Sequence, residues 1–339
     1  MDQFSAPSGA ISEHDDPEYE KYYWHNGARL APDQSAYCLN DRGFNYGHGL
    51  FETFRIRQGC PLFWSAHEKR LIEGLLRLGL LGSQDLEGFI DQLKHEVANL
   101  VFPQPQGVLK LVVTAGSGPR GYAPPSALRQ PERFYSWSPQ TMAQNAISDA
   151  VQTTATDTDC ARAGQALMVC AHRLPRHPAL AGIKHLNRLD QVLGATEAKH
   201  LGFDDGLMLD QAGFVIESTA SNVFVVRDGI LLTPDVSQVG VAGVMRSIIL
   251  EAYGSLGSAR TGRFFSASAS ESGPVLNPII NVTALTLGEV WAADEVFLTN
   301  VVRGVVPVSS LTHDGKTQQW PSPGPLATQI AAWIETTHT

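Results

Sequence analysis

A chain of 339 residues, 43% of them hydrophobic, is longer than one typical domain and holds enough apolar material for a large core, so we expect two domains. The formal net charge of −9 argues against a nucleic-acid partner, because phosphate backbones attract concentrated lysine and arginine side chains. The N-terminus has neither the basic start nor the apolar run of a signal peptide, and no stretch reaches membrane-spanning length, so the sequence predicts a cytoplasmic protein without a membrane partner.

The first half of the chain predicts an α+β domain. Residues 1–20 are polar, acidic and turn-rich, which is typical of a flexible arm. The β-branched apolar run at 107–114 predicts a strand that ends in the glycine-rich stretch 116–122. Between about Glu132 and Asn145 the pattern loses periodicity, which indicates a linker. The predicted boundaries are a strand at 22–24, helices at 65–80 and 85–100, an N-terminal domain at 21–135 and a linker at 136–145.

The second half predicts a C-terminal domain at 146–339 that contains a meander of short strands. Gly240 begins a glycine turn that leads into an apolar helix ending near Tyr253. Residues 254–282 are rich in Ser, Gly and Ala, which is typical of an insertion or a long surface loop. The other predicted elements are alternating segments at 146–154, a helix at 187–201, strands at 206–209, 214–217, 222–226 and 230–232, a helix followed by a strand at 289–299, and a closing helix within 321–337.

Several familiar kinds of site do not fit their sequence context. Residues 116–121 satisfy G-x-G-x-x-G after a strand, but the following Tyr122-Ala-Pro-Pro does not open the helix that receives a dinucleotide pyrophosphate. We interpret this stretch as a substrate-side loop carrying Arg120 and Tyr122. The histidines and cysteines show no metal-ligand spacing, and there is no G-x-S-x-G elbow. The sequence therefore predicts no metal and leaves an amine as the candidate nucleophile.

Two lysines lie in apolar surroundings, where desolvation lowers the pKa of an amine and favours the neutral nucleophile. Lys110 lies in the middle of an alternating strand, where an outward-pointing side chain is the commoner interpretation. Lys184 stands directly before a helix, at the kind of junction where function is often placed. Spacing alone leaves a Schiff-base role for Lys184 and a purely structural role equally open.

Other positions meet separate demands of a pyridoxal 5′-phosphate (PLP) site. A carboxylate must face the pyridine nitrogen to keep it protonated, and Glu217 at a strand end suits that role, although a solvated charge would look the same. The phosphate needs amides at a helix start, which the glycine turn can supply near Gly243–Met245. Arg70 could add a cation with bidentate geometry, although alone it would be interpreted as an exposed helical arginine.

Five motifs, in the same order along the chain, resemble those of the class IV aminotransferases, the fold-type IV PLP enzymes. Within that superfamily, the lysine segment Gly182–Val192 is more similar to the aminodeoxychorismate lyases than to the branched-chain or D-amino-acid aminotransferases, as are Gly107–Val113 and Gly116–Tyr122. The five motifs are Asp41–Arg55 (DRGFNYGHGLFETFR), His67–Arg70 (HEKR), Glu217–Phe224 (ESTASNVF), Gly240–Arg246 (GVAGVMR) and Asp294–Asn300 (DEVFLTN).

The resemblance implies a two-domain α+β fold of the D-amino-acid aminotransferase type, with a smaller N-terminal α/β domain and a larger C-terminal domain around a β-meander or barrel-like core. It implies PLP on Lys184, Glu217 opposite the pyridine nitrogen, and Arg70 with the Val244 and Met245 amides on the phosphate. It also implies a homodimer with active sites near the interface. The implied reaction converts 4-amino-4-deoxychorismate into 4-aminobenzoate and pyruvate, a step of folate biosynthesis, with Lys184 as the catalytic residue.

Substrate recognition is less defined by the motifs. Asn300, Arg120 and Tyr122 are candidates for holding substrate carboxylates or the ring, and for Asn300 a backbone-capping role is an equal alternative. Where lyase relatives commonly show Ser-Arg-Gly-Ser-Gly, this chain has Thr114-Ala115-Gly116, which removes one possible carboxylate ligand. Two alternatives stay open: a class IV aminotransferase acting on D-amino or branched-chain amino acids or amines, and a PLP-binding protein with little turnover.

Overall fold

A computed structural model of the chain describes residues 22–31, 34, 36, 38–124, 130–139, 164–254 and 278–337. The predicted arm at 1–20, the alternating segments at 146–154 and residues 255–277 of the predicted insertion lie outside the described residues. Within the described part, each half of the chain builds its own β-structure, and the segment that carries Lys184 lies where the two halves meet.

The described residues of the first half form a six-stranded antiparallel sheet. Its strands are β1 (Tyr22–His25), β2 (Ala28–Arg29), β3 (Gly49–Arg57), β4 (Cys60–Pro61), β5 (Gly107–Thr114) and β6 (Glu132–Ser138). They lie in the order β2-β1-β6-β5-β3-β4. The predicted bounds of β5 are confirmed, and alternate residues of this strand are fully buried because its two faces meet different environments. Leu109, Leu111 and Val113 are core residues on this strand.

Two amphipathic helices pack against this sheet, α2 (Trp64–Arg77) and α3 (Leu86–Asn99), which confirms the two predicted helices. The first ends three residues earlier than predicted, because Gly79 takes a positive φ of 62° and turns the chain. Leu80 lies beyond that turn and is still packed in the core. A short helix that the sequence did not predict, α1 (Arg42–Tyr46), is capped by Asp41, whose side chain accepts hydrogen bonds from the Gly43 and Phe44 N–H groups.

The described residues of the second half form a closed barrel with additional strands and helices. The elements are β7 (Gln165–Leu174), α4 (Leu189–His200), β8 (Asp205–Asp210), β9 (Val215–Ser218), β10 (Asn222–Arg227), β11 (Ile230–Pro234), α5 (Val244–Gly254), β12 (Ile279–Thr283), α6 (Leu287–Trp291), β13 (Glu295–Asn300), β14 (Gly304–His313), β15 (Lys316–Gln319) and α7 (Pro325–Thr337). Six strands follow one another around the barrel as β10-β13-β14-β7-β8-β9. Pairing of β9 with β10 closes it, so these strands leave no open edge between them.

Barrel closure brings three strand ends side by side. Asn222, the first residue of β10, pairs with Glu217 of β9 and with Thr299 of β13. The turn after β13 runs from Asn300 to Gly304, where β14 begins. This end of the barrel therefore collects polar side chains from residues that are far apart in the sequence.

Two stretches that the sequence predicts to be irregular form strands instead. Glu132–Ser138 is β6, and its alternation is hidden because Phe134 and Tyr135 are both buried. Phe134 stacks on His25 with ring centroids 4.8 Å apart, while Tyr135 belongs to the core of the first half. The end of the predicted long loop at 254–282 forms β12, which pairs in parallel with β11.

The predicted linker at 136–145 begins inside β6, and its residues from 140 onward lie outside the described ones, so the domain boundaries stay a prediction. In the second half, the predicted helices and meander strands that fall on described residues are confirmed, with ends shifted by a few residues. β7 was not predicted, because it pairs in parallel on both sides and four consecutive residues, Leu167–Cys170, are buried, so its pattern does not alternate. No helix among the described residues is long and apolar enough to cross a membrane.

Candidate active site

A cavity of about 810 Å³ is lined by residues of β3, α2 and α4 and by the end of the barrel. This volume is in the range of sites that hold small organic ligands. The five residues predicted to hold a cofactor all line it: Arg70, Lys184, Glu217, Val244 and Met245. The structure thus brings together in one place residues that lie far apart in the sequence, from Arg70 to Met245.

Main-chain hydrogen bonds hold the segment around Lys184 on both sides. On one side, the Phe51 N–H of β3 donates to the Lys184 carbonyl at 2.9 Å. On the other side, the Gly182 N–H donates to the Gly240 carbonyl at 2.9 Å, and the Ala242 N–H donates to the Gly182 carbonyl at 3.0 Å. The lysine is therefore fixed between the first sheet and the glycine turn that precedes α5.

Glycine at position 49 allows this close approach of the two halves. A Cβ atom there would lie 2.4 Å from the Val113 carbonyl oxygen and 2.7 Å from Leu186 Cδ1, and both distances are too short for carbon. The Leu186 N–H donates to the Gly49 carbonyl at 3.0 Å, which adds a second hydrogen bond between β3 and the lysine segment. The glycine of the opening motif therefore positions the lysine from the other half of the chain.

The Lys184 amine lies in a half-buried position, with Nζ 4.4 Å from the centroid of the Phe51 ring. Burial, together with the nearby Arg70 charge, lowers the pKa of Lys184 from 10.5 to about 8. A useful fraction of the amine is then neutral near pH 7, as a nucleophile or proton acceptor requires. Lys110 is exposed on β5, as the commoner interpretation expects, although its Nζ also lies near Phe51, at 5.1 Å from the ring centroid.

Arg70 is fixed by a buried carboxylate that the sequence argument did not single out. Its Nε donates to Glu52 Oε1 at 2.8 Å and its Nη2 donates to Glu52 Oε2 at 2.5 Å. His67 Nδ1 lies 2.6 Å from the same Oε2. Burial favours the neutral acid, but the charge of Arg70 and the hydrogen bonds from His67 and Arg70 outweigh it and lower the pKa of Glu52 to about 2. Glu52 is therefore an anion that aligns Arg70 on the cavity wall.

The start of α5 lies beside Arg70. The Nη1 group of Arg70 donates to the Ala242 carbonyl at 3.0 Å, just before the helix. Val244 and Met245 are the first two residues of α5, where backbone N–H groups have no partner inside the helix. A Cβ atom on Gly243 would lie 1.8 Å from Asn222 Oδ1, so only glycine fits this turn. A helix start next to a guanidinium is suited to binding a phosphate.

Glu217 is buried near the end of β9 and lines the same cavity. Its Oε2 accepts the Val241 N–H at 2.9 Å, and Gln191 Nε2 donates to Oε1 at 3.3 Å. Burial raises the pKa of Glu217, while the Val241 N–H and the charges of Arg188 and Lys184 oppose that shift. A cation placed against Glu217, such as a protonated ring nitrogen, would favour its carboxylate form.

The three residues predicted to bind substrate lie in different surroundings. Asn300 lines the cavity, but both ends of its amide are engaged: Oδ1 accepts the Arg303 N–H at 2.8 Å and Nδ2 donates to Ser221 Oγ at 2.9 Å. In this structure, the Asn300 side chain therefore caps a backbone N–H group, which is the alternative role that the sequence left open. Arg120 and Tyr122 are exposed and do not line the cavity formed by their own chain.

Ala115, the position where a carboxylate ligand was expected to be lost, is 3% exposed and belongs to the hydrophobic core of the first half. Its N–H donates to the His48 carbonyl at 3.0 Å. Ala115 is not among the residues that line the cavity, and its methyl group is used for packing. The presence of alanine at this position, where lyase relatives commonly differ, therefore does not remove a group from the cavity wall that the structure describes.

The sequence argument missed several residues of the cavity wall. Arg188 and Gln191 lie within the lysine motif that the sequence analysis quoted, so their position after Lys184 was a usable signal. Thr299 likewise lies within the quoted Asp294–Asn300 motif, whereas Arg303 lies outside every quoted motif and reaches the cavity through the turn after β13. Wall residues that were not singled out include Phe51, Thr53, Arg188, Gln191, Ser221, Asn222, Thr299 and Arg303.

Comparison with known proteins places this site in a family. The family model Amino-transferase class IV matches residues 49–311, which is more than half of the chain. The chain belongs to the class IV aminotransferase family. This confirms the family resemblance that the motifs indicated, from the opening glycine motif to the end of the barrel.

Relatives within the class IV family match most of the chain. An aminodeoxychorismate lyase of Vibrio harveyi is 30% identical over 304 residues, which cover 86% of this chain and 91% of that protein. The crystal structure of 4-amino-4-deoxychorismate lyase from Pseudomonas aeruginosa is 35% identical, with a TM-score of 0.72 and coverage of 93% of this chain and 98% of that chain. A T.th. branched-chain amino acid aminotransferase, solved with pyridoxamine 5′-phosphate, has a TM-score of 0.69 at 21% identity, with coverage of 93% and 92%, and shows the fold alone.

The fold is therefore the fold-type IV arrangement that the sequence predicts, and the family uses PLP. The described residues fit that cofactor. The cavity offers an amine, a buried carboxylate, and a guanidinium beside a helix start, which are the groups that PLP needs. Thr299 Oγ1 is also buried on the cavity wall without a hydrogen-bond partner, which is the state of a hydroxyl that a ligand completes.

Proposed function

We propose that this chain is a PLP-dependent lyase that converts 4-amino-4-deoxychorismate into 4-aminobenzoate and pyruvate. The observation that carries the proposal is the convergence of Lys184, Glu217, Arg70 and the start of α5 on one cavity. The choice of the lyase reaction is supported by similarity to two lyases at 30% and 35% identity along most of the chain.

Each of these residues has a separate part in holding PLP. Lys184 Nζ would attach the cofactor covalently, Glu217 would face its ring nitrogen, and Arg70 with the Val244 and Met245 N–H groups would bind its phosphate. Bound PLP supplies an electron sink for the negative charge that develops when a proton leaves the substrate. The roles of this chain's residues are then to orient the reactants and to move protons.

Lys184 is the residue that moves protons. Once the amine of the substrate has displaced it from the cofactor, its Nζ would be a free amine with a pKa of about 8, would accept a ring proton from the substrate and would return it as an ammonium to the leaving fragment. The Phe51 ring, 4.4 Å from Nζ, stabilises the ammonium form through a cation–π contact. The main-chain bonds to β3 and the glycine turn keep the amine in place between these two steps.

The proposal includes a homodimer, and exposed apolar side chains support it. Leu189, Val192 and Leu193 of α4 are 70%, 54% and 47% exposed, and Val192 also lines the cavity. Tyr122 is 85% exposed. A second copy that covers these apolar side chains would remove them from water. We propose that the substrate-side loop of that copy, with Arg120 and Tyr122, then lies near the cavity. Sedimentation at the mass of a single chain at micromolar concentration would contradict the dimer.

The reaction is tested by the products that the purified, PLP-supplied protein forms from 4-amino-4-deoxychorismate without any 2-oxo acid. We expect equal amounts of 4-aminobenzoate and pyruvate, and no product from Lys184→Ala. Lys69→Ala is a matched control, because Lys69 is a highly exposed lysine on α2 that only contacts Glu251 at 3.6 Å.

Two other outcomes would overturn the lyase reaction. Glutamate formation from 2-oxoglutarate and an amine donor, without 4-aminobenzoate, would establish a transaminase that uses the same cavity. A protein that binds PLP and forms neither set of products would be a PLP-binding protein with little turnover.

A further inference from the structure

Arg303 carries a charge on the cavity wall that no residue of the described chain neutralises directly. It lies in the turn between β13 and β14 and is half-buried. Its Nη2 donates to Ser221 Oγ at 3.3 Å, and no carboxylate among the described residues lies within ion-pair distance of its guanidinium. Burial lowers the pKa of Arg303, and only the more distant charges of Asp205 and Asp204 oppose that shift.

The other two arginines of the cavity wall are engaged differently. Arg70 is paired with the Glu52 carboxylate, and Arg188 donates to the His185 carbonyl at 2.8 Å through Nε. Asp205, whose charge opposes the pKa shift of Arg303 more than that of Asp204, accepts hydrogen bonds from the Gly206 N–H at 2.7 Å and from the Thr219 hydroxyl. The guanidinium of Arg303 therefore has donors available toward the cavity, while a cation held away from water without a counter-ion is unfavourable.

The turn that carries Arg303 is fixed before any ligand arrives. Asn300 Oδ1 accepts the Arg303 N–H at 2.8 Å, and Asn300 Nδ2 donates at 2.9 Å to the same Ser221 Oγ that Arg303 contacts. Gly304 closes the turn with a positive φ of 68°. Asn300 and Ser221 thus hold the backbone and the side chain of Arg303 together, which limits the loss of conformational freedom when an anion binds.

We infer that Arg303 is a specificity-determining residue that binds a carboxylate of the substrate, and that Asn300 is a positioning residue that acts through Arg303. The inference rests on the proposed function for the identity of the substrate. The two products, 4-aminobenzoate and pyruvate, each carry one carboxylate, so their common precursor carries two. One cation for the cofactor phosphate and a separate cation for a substrate carboxylate match the environments of Arg70 and Arg303 on the cavity wall.

The test compares the PLP-loaded wild type with two variants. Arg303→Met keeps an unbranched apolar stem and removes the charge, and Arg303→Lys keeps the charge without the bidentate geometry of the guanidinium. We expect Arg303→Met to raise KM for 4-amino-4-deoxychorismate by roughly ten- to a hundredfold, the range for a lost charge-assisted hydrogen bond, with a smaller change in kcat. Arg303→Lys should recover part of the loss. The dissociation constant of PLP should stay unchanged in both variants.

Two results of this comparison would overturn the inference. An unchanged KM in Arg303→Met would remove Arg303 from substrate binding. A parallel loss of PLP affinity would assign the cation to the cofactor phosphate instead. If Arg303→Met does not fold, as judged by circular dichroism, Arg303→Gln replaces it with the same expected results.

A second measurement separates this inference from the proposed reaction. Butyrate and its uncharged analogue butyramide are titrated into the PLP-loaded protein, and binding is followed by the cofactor absorbance. We expect the wild type to prefer the carboxylate and Arg303→Met to lose that preference. If Arg303→Met loses the preference and the wild type has no lyase activity, the role of Arg303 is supported and the proposed function is overturned. If the wild type is an active lyase and Arg303→Met has an unchanged preference and KM, the proposed function is supported and the role of Arg303 is overturned.

Discussion

Two regions of one cavity wall hold an arginine in opposite ways. At the junction of β3 and α2, Arg70 is bound by the buried Glu52 carboxylate and by the Ala242 carbonyl. At the turn between β13 and β14, the guanidinium of Arg303 donates to the neutral hydroxyl of Ser221 and has no carboxylate partner among the described residues. The first cation is paired within the protein, and the second is left for a ligand.

This difference matches the two kinds of ligand that we propose for the cavity: a cofactor that stays bound and a substrate that binds and is released. A guanidinium with an internal counter-ion keeps its position whether or not a ligand is present, which suits a resident cofactor phosphate. A guanidinium without an internal counter-ion gains more binding free energy from a carboxylate that enters the cavity. This suits a substrate that must be selected and then released. Both regions contribute to one cavity. Because they lie on different elements of the fold, substitutions can test them separately.

The largest effect is expected at the paired region. Glu52→Gln removes the negative charge and leaves Arg70 half-paired in a buried site, which should lower the free energy of unfolding by about 3–5 kcal/mol. The affinity for PLP should fall as well, because Arg70 loses its alignment. Chemical denaturation and PLP titration measure the two effects. Glu73→Gln is the matched control, since Glu73 is an exposed partner of Arg77 on the same helix and should change stability by about 1 kcal/mol or less.

Acid should weaken the same region within a defined window. The pKa of Glu52 is about 2 in the folded protein and near 4.5 in the unfolded chain, so the unfolded chain binds the proton more readily. The stabilisation is complete above about pH 4.5 and is lost as the pH falls toward 2, by about 3 kcal/mol in total. The difference in unfolding free energy between wild type and Glu52→Gln should therefore shrink in this window. A difference that is constant between pH 7 and pH 3 would contradict the pairing.

The smallest effect on stability is expected at the unpaired region. Arg303→Met removes a cation that has no carboxylate partner among the described residues, so the free energy of unfolding should change by less than about 1 kcal/mol. The same substitution should change KM strongly. A loss of stability as large as that of Glu52→Gln would mean that Arg303 is a structural residue, and the contrast between the two regions would fail.

Local patterns predicted the parts of this site that are encoded in short segments. The strand at Gly107–Thr114, the glycine turn before α5 and the lysine motif all fall where the sequence places them, because turn residues and apolar periodicity determine them. The barrel closure between Glu217 and Asn222 was not predicted, since register between strands depends on contacts across the whole half.

The charges of the site were harder to predict than its elements. Glu52 was visible in the opening motif, but its function depends on Arg70, which lies on a different element. Asn300 was predicted as a substrate ligand, and the structure shows that its amide is engaged in the turn that holds Arg303. A sequence gives the type of a charged residue, whereas its role depends on whether a counter-ion lies beside it in the fold.

The most direct test of the account is to locate the cofactor on the chain. Purified protein supplied with PLP is reduced with borohydride, which fixes the cofactor to the lysine that holds it, and the digested peptides are analysed by mass spectrometry. The account predicts the added mass on Lys184, which Phe51 and Gly182 hold on the cavity wall, and on no other lysine. Label on Lys110, or a protein that takes up no PLP, would contradict it.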